Sequence, residues 1–149
     1  MSHFVPRRAP AKTAKAPYCR TSQEVKAKHT GTFLPALERL INDNEARFKA
    51  VLRSLVGQLK PAITAGKKVH TVAAICEHGK HRSVAVATLL DMMLRALGGR
   101  AKVEHLSKAN WDRTRCGWID CDFCDCSQHR EEREAVANRA LPWLVQLLQ

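Results

Sequence analysis

Several features are missing from this chain of 149 residues, and each absence excludes something. No apolar run approaches the ~18 residues that span a bilayer, so no membrane partner is expected. The opening "MSHFVPRRAPAKTAKAPYC" has no apolar core of the secretory kind, so its six cysteines point to reduced thiols or metal ligands rather than disulfides. No internal repeat is visible, and no G-x-x-x-x-G-K-[ST] occurs, so no nucleotide cofactor is expected. The stretch before Glu24 has no acidic residue at all. It carries Arg7, Arg8, Lys12, Lys15 and Arg20 among alanines and prolines, which predicts a basic flexible arm over residues 1–29. An intracellular, cytoplasmic protein follows as the default. Organelle import is the alternative the arm leaves open, though the arm is poor in serine for a transit peptide.

What is present begins with charge. Lys and Arg exceed Asp and Glu by eleven, a balance that favours polyanionic partners such as RNA or phosphorylated small molecules and says little about fold. The length suits one domain, assigned here to residues 30–149.

Apolar residues from Leu37 through Leu59 recur at helical spacing. Pro35 fits the first turn, and Gly57 with Pro61 is read as the end, so one long helix is expected. Residues 69–76, with the unbroken apolar stretch Val72 to Ile75, read as a strand covered on both faces. "VAVATLLDMMLRALGG" reads as a helix over residues 83–97 stopped by Gly98 and Gly99, and residues 101–106 as a second strand. Strand, loop, helix, strand predicts an α/β fold: a small βαβ-centred domain with parallel strands, flanking helices and a Cys-rich loop. That Cys-rich element covers residues 107–129. A terminal helix over 127–148 follows, with Ser127 as N-cap and a kink at Pro142.

In a βαβ unit, ligands collect where a strand's carboxyl end meets the next helix's amino end, and "CEHGKHRS" sits at that junction. Free N–H groups of a first helical turn bind anions. Gly79 allows such groups to converge, Arg82 can grip a phosphate with two parallel hydrogen bonds, Lys80 and His81 add charge, and Ser83 adds a hydroxyl. Glu77 opposes an anion and must point outward or be paired. The plain alternative is a polar turn with a helix cap.

The same string reads C-x₅-R-S, which resembles the phosphate loop of cysteine-dependent tyrosine phosphatases. In those enzymes a helix end and an arginine lower the thiol pKa and the thiolate takes the phosphoryl group. By that resemblance Cys76 and Arg82 are catalytic candidates. Asp112, Asp120, Asp122 and Asp125 are the downstream acids, none in a recognisable acid-bearing loop. The alternative makes Cys76 a buried strand-end thiol.

"CGWIDCDFCDCSQH" packs Cys116, Cys121, Cys124, Cys126 and His129 into a short span as C-x₄-C-x₂-C-x-C-x₂-H. Four of these five can surround one structural Zn²⁺ tetrahedrally. The alternatives are a cluster of reduced thiols or a disulfide pair. A catalytic zinc is not expected, because no H-x-E partner accompanies the cysteines. Basic residues cluster again at Arg95, Arg100, Lys102, Lys108, Arg113 and Arg115, and Trp111 and Trp118 can stack on unpaired bases or fill a core.

The longer string "TVAAICEHGKHRSVAVATLLDMML", followed by "KVEHL" and preceded by "HTG" and a helix, resembles the C-terminal domain of the RNase adapter protein RapZ. That family carries C-T-G-G-[KRQ]-H-R-S-V after an apolar strand. The likeness runs from Thr30 to Leu106 and is sharpest over Gly79 to Val84. Two family loop residues are Glu77 and His78 here, and the family's H-R-[DE] is His105-Leu106-Ser107. The nucleotide-binding domain that precedes this one in RapZ is absent from the sequence. The resemblance implies a non-catalytic module that binds a phosphorylated metabolite or RNA phosphates and bridges RNA to a protein partner. It places ligand contacts on Gly79, Lys80, His81, Arg82 and Ser83, with Cys76 and His105 as additional contacts. Two other functions stand beside it: a phosphomonoesterase using Cys76 and Arg82, and a zinc-stabilised scaffold subunit of a ribonucleoprotein.

Overall fold

The computed structural model describes residues 29–77, 79–111 and 129–149. Four α-helices dominate it: α1 over Leu34–Asn42, α2 over Glu45–Thr64, α3 over Arg82–Ala96 and α4 over Arg130–Leu148. A short 3₁₀ helix, η1, covers Leu106–Asn110.

The single long helix expected from Leu37 onward is two. The run Asn42-Asp43-Asn44 interrupts it, as residues whose side chains compete for backbone hydrogen bonds do. Asp43 N–H and Asn44 Nδ2 both donate to the carbonyl of Arg39, at 3.0 and 3.2 Å, and so satisfy the end of α1. Pro61 does not end α2, which runs through it to Thr64. Thr64 Oγ1 donates to Lys60 and Ala65 N–H to Pro61 in the last turn. α3 begins and ends one residue from its expected bounds. Past its end, Gly98 takes φ +79° while the N–H of Gly99 returns to Leu94, a left-handed helix stop that glycine allows. α4 likewise continues through Pro142.

The helices meet in one core. Leu37 and Ile41 of α1, Phe48, Leu52, Leu55 and Val56 of α2, Ala85, Leu89, Leu90 and Met93 of α3, and Val136, Ala137, Ala140 and Leu144 of α4 form a continuous buried cluster. Each helix contributes residues three or four apart, one stripe per helix, and α4 packs against the other three.

The α/β, βαβ-centred expectation is overturned: the architecture is helical, and no strand occurs among the described residues. Residues 69–76 and 101–105 have no regular secondary structure. Val69 and Ile75 are 82 % and 89 % exposed, so the run that reads as a doubly covered strand faces solvent. The physical reason is competition for one apolar surface. A sheet between these segments would need the buried faces of α3, and those faces are spent on α1 and α4. A β-branched run signals a strand only where a second strand completes its hydrogen bonds.

Candidate functional site

The loop of residues 76–83 leads into α3, the placement expected of it, although no strand delivers it. His78 lies outside the described residues. Two neighbouring segments hold the loop. On one side, Gly31 N–H donates to the Lys80 carbonyl at 3.0 Å. A Cβ on Gly31 would lie 2.0 Å from the His81 carbonyl oxygen and 2.4 Å from the Ala85 nitrogen, so only glycine permits this approach. On the other side, Ser107 Oγ and Trp111 Nε1 both donate to the Gly79 carbonyl, the latter at 3.3 Å. Gly79 has φ +59°, and a Cβ there would meet Ser107 Oγ at 2.6 Å. A planar peptide sets the Lys80 N–H antiparallel to the Gly79 carbonyl, so anchoring that carbonyl turns the N–H away from Ser107 and Trp111.

The Ser83 hydroxyl lies 3.1 Å from the Cys76 Sγ, and the Gly79 N–H donates to the Cys76 carbonyl at 3.2 Å. Burial pushes the thiol up, but the Ser83 hydroxyl and the nearby main-chain amides of Ser83, His81 and Gly79 outweigh it and bring its pKa from 9.0 down to about 7. Helix α3 has no side-chain cap hydrogen bond.

Around this point the expected ligand residues divide by burial. Ser83 is buried, and His81 and Cys76 are half-buried. Lys80 is only 9 % exposed, and its ammonium makes no hydrogen bond or ion pair among the described residues. Arg82 is largely exposed, with its guanidinium 4.0 Å from the Glu77 carboxylate, itself exposed. Glu77 therefore does not plug the loop. It sits against the arginine that an anion would need. His105 packs near Trp111 with ring centroids 5.6 Å apart, beside the loop's anchor rather than on the loop.

Three buttress residues were missed as site residues in the sequence. Gly31 lies in the "HTG" that precedes the first helix, and its spacing from the loop gives no sign of contact. Ser107 stands where the RapZ family has a carboxylate. A hydroxyl can donate to the Gly79 carbonyl, which an ionised carboxylate cannot. Trp111, read as a base-stacking or core residue, is buried with its indole N–H used on the loop.

Of the expected zinc ligands, Cys116, Cys121, Cys124 and Cys126 lie outside the described residues, as do the acid candidates Asp112, Asp120, Asp122 and Asp125. His129 precedes α4, and its Nδ1 is bound to the Glu132 carboxylate. Among the described residues no three His, Cys, Asp or Glu side chains come together to hold a metal, and no helix is long and apolar enough to cross a membrane. Part of the expected basic surface is already paired: Arg95 binds Asp91 at 2.8 Å, and Lys102 binds Glu104 at 2.6 Å.

No curated protein and no solved structure matches the chain. The sequence model of the RapZ C-terminal domain matches residues 17–109, well over half of the chain, and takes in α1, α2, the loop, α3 and its Ser107 anchor. The chain therefore belongs to the RapZ C-terminal domain family.

Proposed function

We propose that this domain is a binding module for a phosphate group, presented by a phosphorylated metabolite or by RNA and received by the loop of residues 76–83. The observation that carries the reading is Lys80, whose stem is buried while its ammonium has no protein counter-charge among the described residues and is not sealed from water. An incoming anion can supply that charge. Arg82 at the rim offers a second, exchangeable grip once it leaves Glu77, and the start of α3 adds its dipole. A terminal phosphomonoester suits one compact loop better than a diester backbone, since two charges face one lysine and one arginine.

Titration with inorganic phosphate, a phosphosugar and a short RNA, each against wild type and Arg82→Ala, tests the reading. Phosphate and phosphosugar binding weakened about tenfold or more by the variant supports it. Salt-sensitive RNA binding untouched by the variant would move recognition to other basic surfaces.

For Cys116, Cys121, Cys124, Cys126 and His129 we propose one structural Zn²⁺ on four of the five. The contact between His129 Nδ1 and Glu132 supports it, because carboxylates orient metal-ligating imidazoles in this way. Metal analysis of the purified protein, with and without Cys121→Ser, tests this.

A further inference from the structure

The segment between α2 and α3 carries a surface that the described chain leaves uncovered. Residues 63–75 are all exposed, among them Val69 at 82 %, Val72 at 39 % and Ile75 at 89 %. Residues 68–75 also form no main-chain hydrogen bond among the described residues, so their N–H and C=O groups are left to solvent. Both ends are held in place. Lys67 N–H donates to the Ala62 carbonyl at 2.9 Å, and Gly79 N–H to the Cys76 carbonyl at 3.2 Å. An open main chain carrying β-branched side chains is a template on which another chain can pair.

Charge decides which chain fits. Lys67 stands at one end of the segment, exposed and without an ion pair among the described residues. Glu77 stands at the other, 74 % exposed, with the Arg82 guanidinium 4.0 Å away. We infer that residues 67–77 are a self-complementary interface through which two copies of this chain pair antiparallel about a two-fold axis at Val72. In a two-fold contact every pairing occurs twice. With Val72 on the axis, Lys67 faces Glu77, Val69 faces Ile75 and Thr71 faces Ala73. Side chains alternate along a paired strand, so these six residues share one face, where opposite-charge and apolar cross-strand pairs stabilise the ladder. Competing arrangements lose one set or the other. A parallel contact in register sets Lys67 on Lys67 and Glu77 on Glu77. A one-residue slip keeps a charge pair, Lys68 with Glu77, but sets Ile75 against His70. The inference does not depend on phosphate binding, and the second strand comes from the other copy, not from the same chain.

The test is analytical ultracentrifugation of the full chain over a concentration series, alongside Val72→Lys, Lys67→Glu, Glu77→Lys and the Lys67→Glu/Glu77→Lys double variant, each first shown to be folded by circular dichroism. A wild-type dimer is expected. Val72→Lys places like charges on the axis and should weaken it about tenfold or more. Each single charge variant turns both ionic pairs into like-charge pairs and should weaken it about tenfold, and the double variant should return it to near the wild-type strength. A wild-type chain that stays monomeric overturns the inference and leaves the segment to a different protein. A dimer unchanged in Val72→Lys and in both single charge variants also overturns it, placing the contact elsewhere. So does a double variant that restores nothing, because the pairing register is then wrong.

Discussion

The N–H of Gly31 donates to the carbonyl of Lys80 at 3.0 Å, tying the segment ahead of α1 to the middle of the loop ahead of α3. The two partners are 49 positions apart in the chain, so the loop's shape depends on the helical core that brings α1 and α3 together. The Gly79 carbonyl, held by Ser107 and Trp111, ties the loop to the far side. The loop is clamped from both flanks, and its shape is coupled to the packing beneath it.

Gly31→Ala should break the first clamp. A methyl group 2.0 Å from a carbonyl oxygen and 2.4 Å from a backbone nitrogen has no rotamer by which to escape, so the loop backbone must move. A loss of about 1–3 kcal/mol, or somewhat more, is expected from overpacking of this kind. Urea denaturation together with phosphate titration checks it. Both the midpoint and the phosphate affinity should fall, whereas Gly57→Ala, where an added Cβ meets nothing, should change neither affinity nor fold.

Ser107→Asp tests the second clamp. The ionised carboxylate cannot donate to the Gly79 carbonyl and places negative charge against it. Phosphate binding should weaken, and the Cys76 thiol should become less acidic as the amides lose alignment. The rate of thiol alkylation against pH reports the second effect.

Cys76 makes stability depend on pH in a stated direction. Its pKa is lower in the folded chain than the ordinary 9.0, at about 7, so the folded state holds the thiolate more favourably than the unfolded state does. The contribution is complete above about pH 9, declines as pH falls between 9 and 7, and is lost below 7. Urea midpoints at pH 7 and pH 9 should therefore separate in wild type more than in Cys76→Ala. Ser83→Ala, which removes the hydroxyl contact, should shift the alkylation profile of Cys76 upward in pH.

The core carries the ordinary cost of truncation. Leu89 on α3 is fully buried in the cluster shared with the other helices, and Leu89→Ala should cost about 2–5 kcal/mol. Because α3 also presents the loop, phosphate affinity should fall only to the extent that the folded population does. Chemical denaturation and titration on the same sample separate the two.

The sequence made the helices legible through their stripes of Leu, Val and Ala, and it marked the loop through the density of Gly, Lys, Arg and Ser between two apolar runs. Its error over the sheet has a specific source. Residues 69–76 have the composition of a buried strand, but burial and pairing belong to the partner, and composition carries no record of a partner. Val69 and Ile75 are exposed here because the helices of the core take one another's apolar faces. The break between α1 and α2 was visible in Asn42-Asp43-Asn44 and was overridden by the longer periodicity. Gly31 and Ser107 were not legible as loop supports, since each acts through a backbone contact across more than twenty-five residues of chain. The contact of the Ser83 hydroxyl with the Cys76 sulfur at 3.1 Å was not legible either.

The central claim is that Lys80, its stem buried and its ammonium unpaired among the described residues, receives a phosphate. Lys80→Met, which retains most of the stem's volume and removes the charge, tests it most directly when stability and inorganic phosphate binding are measured on the same preparation. The account predicts unchanged or raised stability in the absence of ligand, with phosphate affinity reduced at least tenfold. Unchanged phosphate affinity in a folded Lys80→Met protein would contradict it.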